Sequence, residues 1–373
     1  MKIEKLISGA YGLSHSEDGS TVLIKGALPG EEVDIRNIRK KGLTTFAEAS
    51  SVNVESPERT APACPYYGIC GGCDFLIVSP ETSARLKEEC IKDNLKRITG
   101  LTEMPPFDPP VYGEFEGYRT RARVHVDPKK KRIGFLREGS NELIEIDRCP
   151  ALSEKLNAAI AEKDAILKRA RSIMFEKGMN KNTHCVEVPL QEGEDGVSMG
   201  REEVTALGYK VSASVFFQSN LRLLPELLSY VKENVVGDRI MDLYSGVGTF
   251  SRAFEGEDKE VVAVERQKEC LLMSYRNAPS AESFTDDVLQ FSKRNRKKVD
   301  TVIVDPPRVG LDRNVPGLIS SWKPERVIYV SCDSTTACRD LRSFSEYRIS
   351  KARVFDFYPG SSHEESVYIL DRI

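Results

Sequence analysis

Three short motifs in chain order carry the residue types that could do chemistry: Asp305-Pro306-Pro307-Arg308, Ser331-Cys332-Asp333 and His363-Glu364-Glu365. Each stands past an apolar run of strand-forming residues: TVIV, VIYV and, one loop further on, VFDF. Strands of one sheet would bring an acid, a thiol and a second acid to the same rim. In open α/β sheets that rim, outside the carboxyl ends of the strands, is where ligands bind. A cysteine alone at a strand end is more often a small core residue. Two acidic companions shift the reading to covalent chemistry with proton removal.

The elements that must position these groups are legible from residue 220 onward. RIMDLYSG, EVVAVER, DTVIVDPP and RVIYVSC are short apolar strands spaced by helical stretches, the pattern of a doubly wound α/β sheet. The first ends in a glycine turn, Gly246-Val247-Gly248, and Glu265 ends the second, where an acid can hold ribose hydroxyls. The third glycine of a dinucleotide fingerprint is missing. Asp242, just before the turn, disfavours phosphate and suits an ammonium group. Both departures fit S-adenosylmethionine better than a nicotinamide cofactor.

With a methyl donor in that pocket, the three motifs suit a pyrimidine. Carbon 5 of the ring is a poor nucleophile until something adds covalently at carbon 6, which a thiolate can do and then undo. Cys332 is the candidate nucleophile, Glu365 the candidate base for the carbon-5 proton, and Asp305 lines the boundary between them. Arg308 stands where amino-group methyltransferases tend to carry an aromatic, and no cysteine sits beside the prolines as in cytosine-5 enzymes. The target that remains is uracil, unpaired or flipped out of its helix.

Upstream, residues 1 to about 55 read as five short strands of an OB-like barrel, with a basic hairpin at Arg36, Arg39, Lys40 and Lys41. A helix runs from the Ser79-Pro80 start signal to Gly100. Residues 112–150 alternate as an antiparallel sheet, in which Arg119, Arg121 and Arg123 share one strand face, and one helix is expected over 152–178. Nine cysteines include three within ten residues, Cys64, Cys70 and Cys73, in a glycine-rich loop. With Cys149 as fourth ligand, and Cys90 less well placed, the set suits zinc or a [4Fe–4S] centre alike on geometry. Cys185, Cys270 and Cys338 read as packing residues.

The chain has 373 residues, 30% of them charged, and a net charge of -3, which gives no global basic signal for nucleic acid. Its apolar runs are too short for a membrane span, and MKIEKLISGAYG lacks the apolar core of a secretory leader. A cytoplasmic monomer with no obligate protein partner is expected.

Taken in order, GALPGE, GYRTRARV, IGFLREGS…IEIDRCP, FFQSN, DLYSGVGTFS, VAVER, DPPRVGL, SCDSTTACRDL and HEESVYIL resemble the RNA uridine-5 methyltransferase family over essentially the whole length. The similarity is to the branch with a TRAM domain and an iron–sulfur cluster. It implies three units: a TRAM barrel over 1–57, a small α+β RNA-binding unit over 58–205 and a class I, Rossmann-like catalytic domain over 206–373. The helix near 80–100 would pack on the last. It further implies Cys332 as nucleophile and Glu365 as base. Gln218, Tyr244, Thr249, Glu265, Asp287 and Asp305 would bind S-adenosylmethionine, and Cys64, Cys70, Cys73 and Cys149 would hold a [4Fe–4S] cluster. The RNA would be 23S ribosomal RNA, with the tRNA T-loop as runner-up. A non-catalytic iron–sulfur RNA-binding protein is the reading from another class. Two departures stand out: Thr249 replaces the usual asparagine, and Asp333-Ser334 the usual Asn-Pro. The extra charge at Asp333 is expected to raise the thiol pKa unless Arg308 or Arg339 compensates.

Overall fold

Short Val- and Ile-rich runs that are apolar at every position form strands covered on both faces. The computed structural model, which describes residues 1–180 and 185–373, gathers them into one eight-stranded sheet. Five strands run parallel in the spatial order Glu282–Thr285, Glu260–Glu265, Arg239–Leu243, Thr301–Val304 and Arg326–Ser331. Separate apolar clusters cover the two faces, one around Phe217, Leu227 and Ile303, the other around Leu243, Val304 and Tyr329. Chain order reverses at Arg239–Leu243, which creates the crevice where such sheets bind ligands.

Beyond Arg326–Ser331 the strand Ser366–Arg372 runs antiparallel, followed by Tyr347–Phe355 and Phe107–Val111. That antiparallel strand decides the chemistry of the rim. Ser331 pairs with Ser366, so Cys332, leaving one strand, and Glu365, entering the next, meet at the same edge. Backbones of paired strands lie roughly 5 Å apart. The strand Tyr347–Phe355, which carries the start of VFDF, is antiparallel to Ser366–Arg372 and so ends at this same rim; Glu365 follows it one loop on, where it starts the antiparallel strand.

Five strands between Lys5 and Val54 form an N-terminal sheet. Backbone hydrogen bonds from Ile3 to Glu31 and from Val33 to Met1, both 2.9 Å, tie the chain start to the fourth strand. The sheet curls around Ile3, Ile24, Val33 and Ala47. A second antiparallel sheet, ordered Gly196–Ser198, Val186–Gly193, Arg121–Asp127, Arg132–Leu136 and Leu143–Glu145, carries two helices on one face. These are Glu154–Ala161 and Lys163–Glu176, not the single helix expected over 152–178. The chain breaks at Glu162, whose φ of -77° and ψ of 63° are not helical.

The helix Pro80–Asn94 starts at Ser79, whose hydroxyl accepts from Thr82 N, and its continuation ends at Gly100 with φ 76°. It packs against Phe107–Val111, Tyr347–Phe355 and the helix Ser334–Leu341, at the edge of the large sheet. Among the described residues no helix is long and apolar enough to cross a membrane.

Candidate active site

A cavity of about 390 Å³ opens at the crevice, and Gln218, Tyr244, Thr249, Glu265, Asp287, Asp305, Cys332 and Glu365 all border it. Local backbone geometry explains why these residue types stand here. Tyr244 leaves its strand in the left-handed region, φ 62°, a conformation a non-glycine residue holds only where its surroundings enforce it. At Gly248, φ 81°, a Cβ would come within 2.7 Å of Ser274 Oγ, so glycine allows the helix Lys268–Asn277 to approach the turn.

Several polar groups are already aimed. The Glu265 carboxylate accepts from Gly246 N at 3.1 Å and Gln267 N at 2.6 Å, which fixes it on the cavity floor. Asp287 caps the helix Val288–Arg294, accepting from Leu289 N and Gln290 N through Oδ1 alone. Buried Gln218 Oε1 and Ser245 Oγ have no hydrogen-bond partner, the condition of groups that await a ligand. Four carboxyls on the wall, against Arg266 and Arg308, suit a cationic guest. Asp242 stands behind the wall and does not line it, and its Oδ1 likewise has no hydrogen-bond partner. It is fully buried and accepts from Ser251 N and Oγ at 3.0 and 2.6 Å, supporting the turn from behind.

Electrostatics at the rim are dominated by burial. Burial pushes the Cys332 thiol up to about 12; the Glu365 and Asp305 carboxylates add to this, Arg308 opposes it, and Asp333 contributes least. Glu365 is raised well above the usual carboxylate range by burial and by Asp305, again opposed by Arg308. Burial and Asp242 lift Asp305 to about 7. The extra charge at Asp333 is thus a minor influence. Its side chain instead caps the helix Ser334–Leu341, accepting from Thr336 N at 2.8 Å. Arg308 is the compensating cation, and Arg339 is not, being engaged by Asp340 and by the Val309 and Leu311 carbonyls.

Residues named in the motifs but given no role there complete the rim. Glu364 accepts from Ser334 N at 2.8 Å, joining the two reactive strand ends from behind. His363, exposed at the mouth, contacts Arg308 at 3.0 Å, and partial desolvation together with that cation lowers its pKa to about 4. Phe216, Arg308, Tyr358 and His363 border both this cavity and a second one of about 650 Å³.

Cys64, Cys70, Cys73 and Cys149 line that second cavity together with Arg119, Arg121 and Arg123. Cys90 lies elsewhere, on the buried face of the helix Pro80–Asn94 in an apolar cluster, and Cys270 borders the first cavity and packs into the core behind it. Among the described residues no group of three or more His, Cys, Asp or Glu is arranged to hold a metal ion. Of the three arginines, Arg121 is spent on Gln191 Oε1 and the Ser212 and Ala213 carbonyls, while Arg123 is exposed and paired with Glu187. Tyr118 is buried against Phe115 and presents no stacking face.

A family model described as tRNA (Uracil-5-)-methyltransferase matches residues 282–373, which hold the DPPR, SCD and HEE motifs. An RNA methyltransferase of Thermotoga maritima is 28% identical over 99% of this chain and 98% of its own. The 23S rRNA (uracil(1939)-C(5))-methyltransferase RlmD of Neisseria lactamica is 28% identical over 95% of this chain and 91% of its own. The crystal structure of Pyrococcus abyssi tRNA (uracil-54, C5)-methyltransferase, with S-adenosyl-L-homocysteine, superposes with a TM-score of 0.72 at 23% identity over 99% of each chain. The C-terminal quarter of the chain thus matches the uracil-5 methyltransferase family model, and nearly the whole chain is similar to RNA methyltransferases in sequence and to a uracil-5 methyltransferase in fold.

Proposed function

We propose that this protein methylates carbon 5 of a uridine in RNA, with Cys332 as nucleophile and Glu365 as base. The observation that carries the reading is the pairing of Ser331 with Ser366, which sets thiol and carboxyl side by side on the wall of one cavity. S-adenosylmethionine, when bound, supplies an electrophilic methyl group, and its positive charge answers the excess of carboxyls. Gln218, Tyr244, Thr249, Glu265, Asp287 and Asp305 are the residues proposed to hold it.

The residues then act in sequence. Cys332 sulfur bonds to carbon 6, and the ring's π pair moves toward the carbon-4 carbonyl as an enolate. The enolate pair at carbon 5 would then bond to the methyl carbon, whose bond to the donor's sulfonium sulfur breaks and leaves a neutral thioether. Glu365 removes the carbon-5 proton, the released pair re-forms the ring double bond, and the carbon–sulfur bond breaks with the thiolate as leaving group. A thiol held near 12 makes no useful thiolate unaided. Cationic charge in the cavity and Arg308 are what bring it down.

Four cysteines on one cavity wall, with Arg119 among the charges that favour the thiolates of Cys70, Cys73 and Cys149, supply the donor set of a [4Fe–4S] cluster. Its role there would be structural. Units 1–57, 58–205 and 206–373 are proposed, with a cytoplasmic setting. Ribosomal RNA is favoured as substrate because the RlmD relatives of Neisseria lactamica and Bordetella pertussis match nearly full length. A tRNA uridine is the second reading, favoured by the Pyrococcus abyssi structure.

The decisive experiment uses 5-fluorouridine-substituted ribosomal and transfer RNA transcripts with the methyl donor. Wild-type protein should form a denaturant-stable RNA adduct and Cys332→Ala none, with turnover lost. Methylation surviving in Cys332→Ala rejects the assignment.

A further inference from the structure

The loop from Asp356 to Glu365 carries Tyr358, His363 and Glu365 to the cavity, and it is fastened from outside the catalytic sheet. Asp74 takes both hydrogen bonds of Ser362: Ser362 N donates to Oδ1 at 2.6 Å and Ser362 Oγ to Oδ2 at 2.7 Å. Phe75 N donates to Gly360 O at 3.0 Å. Gly360 sits so close that a Cβ would meet Leu76 and Phe115 at 2.9 Å, and its φ of 79° admits little but glycine. Asp74 directly follows Cys73, and Ser362 stands three residues before Glu365. The cysteine-bearing segment and the base-bearing loop therefore share one clamp.

Cys332 has supports of its own. It leaves the interior strand Arg326–Ser331, and the Asp333 cap fixes the residues after it. The Glu364–Ser334 bond and the Ser331–Ser366 pairing link the two groups, while the Asp74 clamp acts on the base-bearing loop and not on Cys332 directly.

We propose that Asp74 is a positioning residue for Glu365, serving the proton-abstraction half of the reaction and not the attack or methyl-transfer half; this rests on the function proposed above. In the affected step the proton passes from carbon 5 to the Glu365 carboxylate, the carbon–hydrogen pair closes the ring double bond, and the carbon–sulfur bond breaks to return the Cys332 thiolate. Misplacement of a catalytic group by about 1 Å can cost ~100-fold, so loss of the clamp should be visible in this step alone.

The test follows single turnovers on unmodified ribosomal and transfer RNA transcripts carrying [5-³H]uridine, with ¹⁴C-labelled methyl donor. In Asp74→Ala, ¹⁴C incorporation should stay within about threefold of wild type, while tritium release slows about 10- to 100-fold. A methylated, denaturant-stable protein–RNA adduct should accumulate, as it should in Glu365→Gln. Asp74→Asn still accepts from Ser362 N and should restore most of the release rate. Ser362→Ala, which leaves the cysteine segment untouched, should give an intermediate defect with unchanged iron content. Equal slowing of both steps in Asp74→Ala and Ser362→Ala, or no slowing of tritium release in either, overturns the proposal. A wild-type protein that neither transfers methyl nor releases tritium overturns the parent reading and this one with it.

Discussion

Buried carboxyls set the character of the site at the scale of single residues. Asp242 and Asp305 are each pushed up to about 7, chiefly by burial, because a charge in the protein interior loses its hydration. An Asp raised in the folded state binds more protons there than when unfolded between about pH 4 and 7. Stability contributed by that position therefore falls as pH rises through this window and stays low above it. Replacing Asp305 with Asn removes the penalty without removing the shape. Ligand-free Asp305→Asn should melt above wild type at pH 8, by an amount worth at most ~4 kcal/mol, and the gap should shrink steadily toward pH 5. Thermal unfolding at the two pH values decides it; a gap independent of pH removes the burial argument. Motif reading found the residues that the structure gathers at one rim because each ends or begins a strand, where sequence position dictates place. It overrated Asp333, because charge adjacency in sequence says nothing about whether a side chain turns away to cap a helix.

Elements decide which acids can work together. A parallel strand would have delivered Glu365 to the opposite rim; only the antiparallel insertion of Ser366–Arg372 brings it to Cys332. Alternating helix and strand in the sequence implies parallel pairing, so this reversal was not legible from periodicity. The helix Pro80–Asn94 was legible from its Ser-Pro start, but its purpose was not. Lys87, 4% exposed, reaches across to fully buried Asp356 at 2.6 Å and to Tyr358 O at 3.2 Å, while Ser83 Oγ donates to the same carboxylate at 2.8 Å. Breaking one side of a buried ion pair leaves the other charge uncompensated. Lys87→Met should cost about 3–5 kcal/mol in urea unfolding, and Asp356→Asn added to it should recover a good part. A loss below about 1 kcal/mol would mean that the hydroxyl and backbone donors around Asp356 already satisfy it.

At the scale of the whole molecule, chain order and spatial order diverge. Phe107–Val111 lies within the segment assigned to the central unit, yet it is an edge strand of the catalytic sheet. Its sequence, FDPPV, argues against a strand anywhere but an edge, where proline's missing donor is tolerated. Residues 80–111 are thus lent to the catalytic layer, and the chain returns to the central sheet afterwards. Three of the four clustered cysteines lie before this excursion and Cys149 after it. A cluster held by all four would close a loop of more than seventy residues, constraining the unfolded chain and cross-linking the base-bearing loop's support to the central sheet. Anaerobically purified protein should be brown with ~4 iron per chain, and oxidative loss of the iron should lower its melting temperature. The drop should be reproduced by Cys149→Ser, which opens the long loop, with no further drop on oxidation of that variant. Colourless zinc-loaded protein, or iron loss without any change in melting, would leave the four thiols without the closing role that their places along the chain suggest.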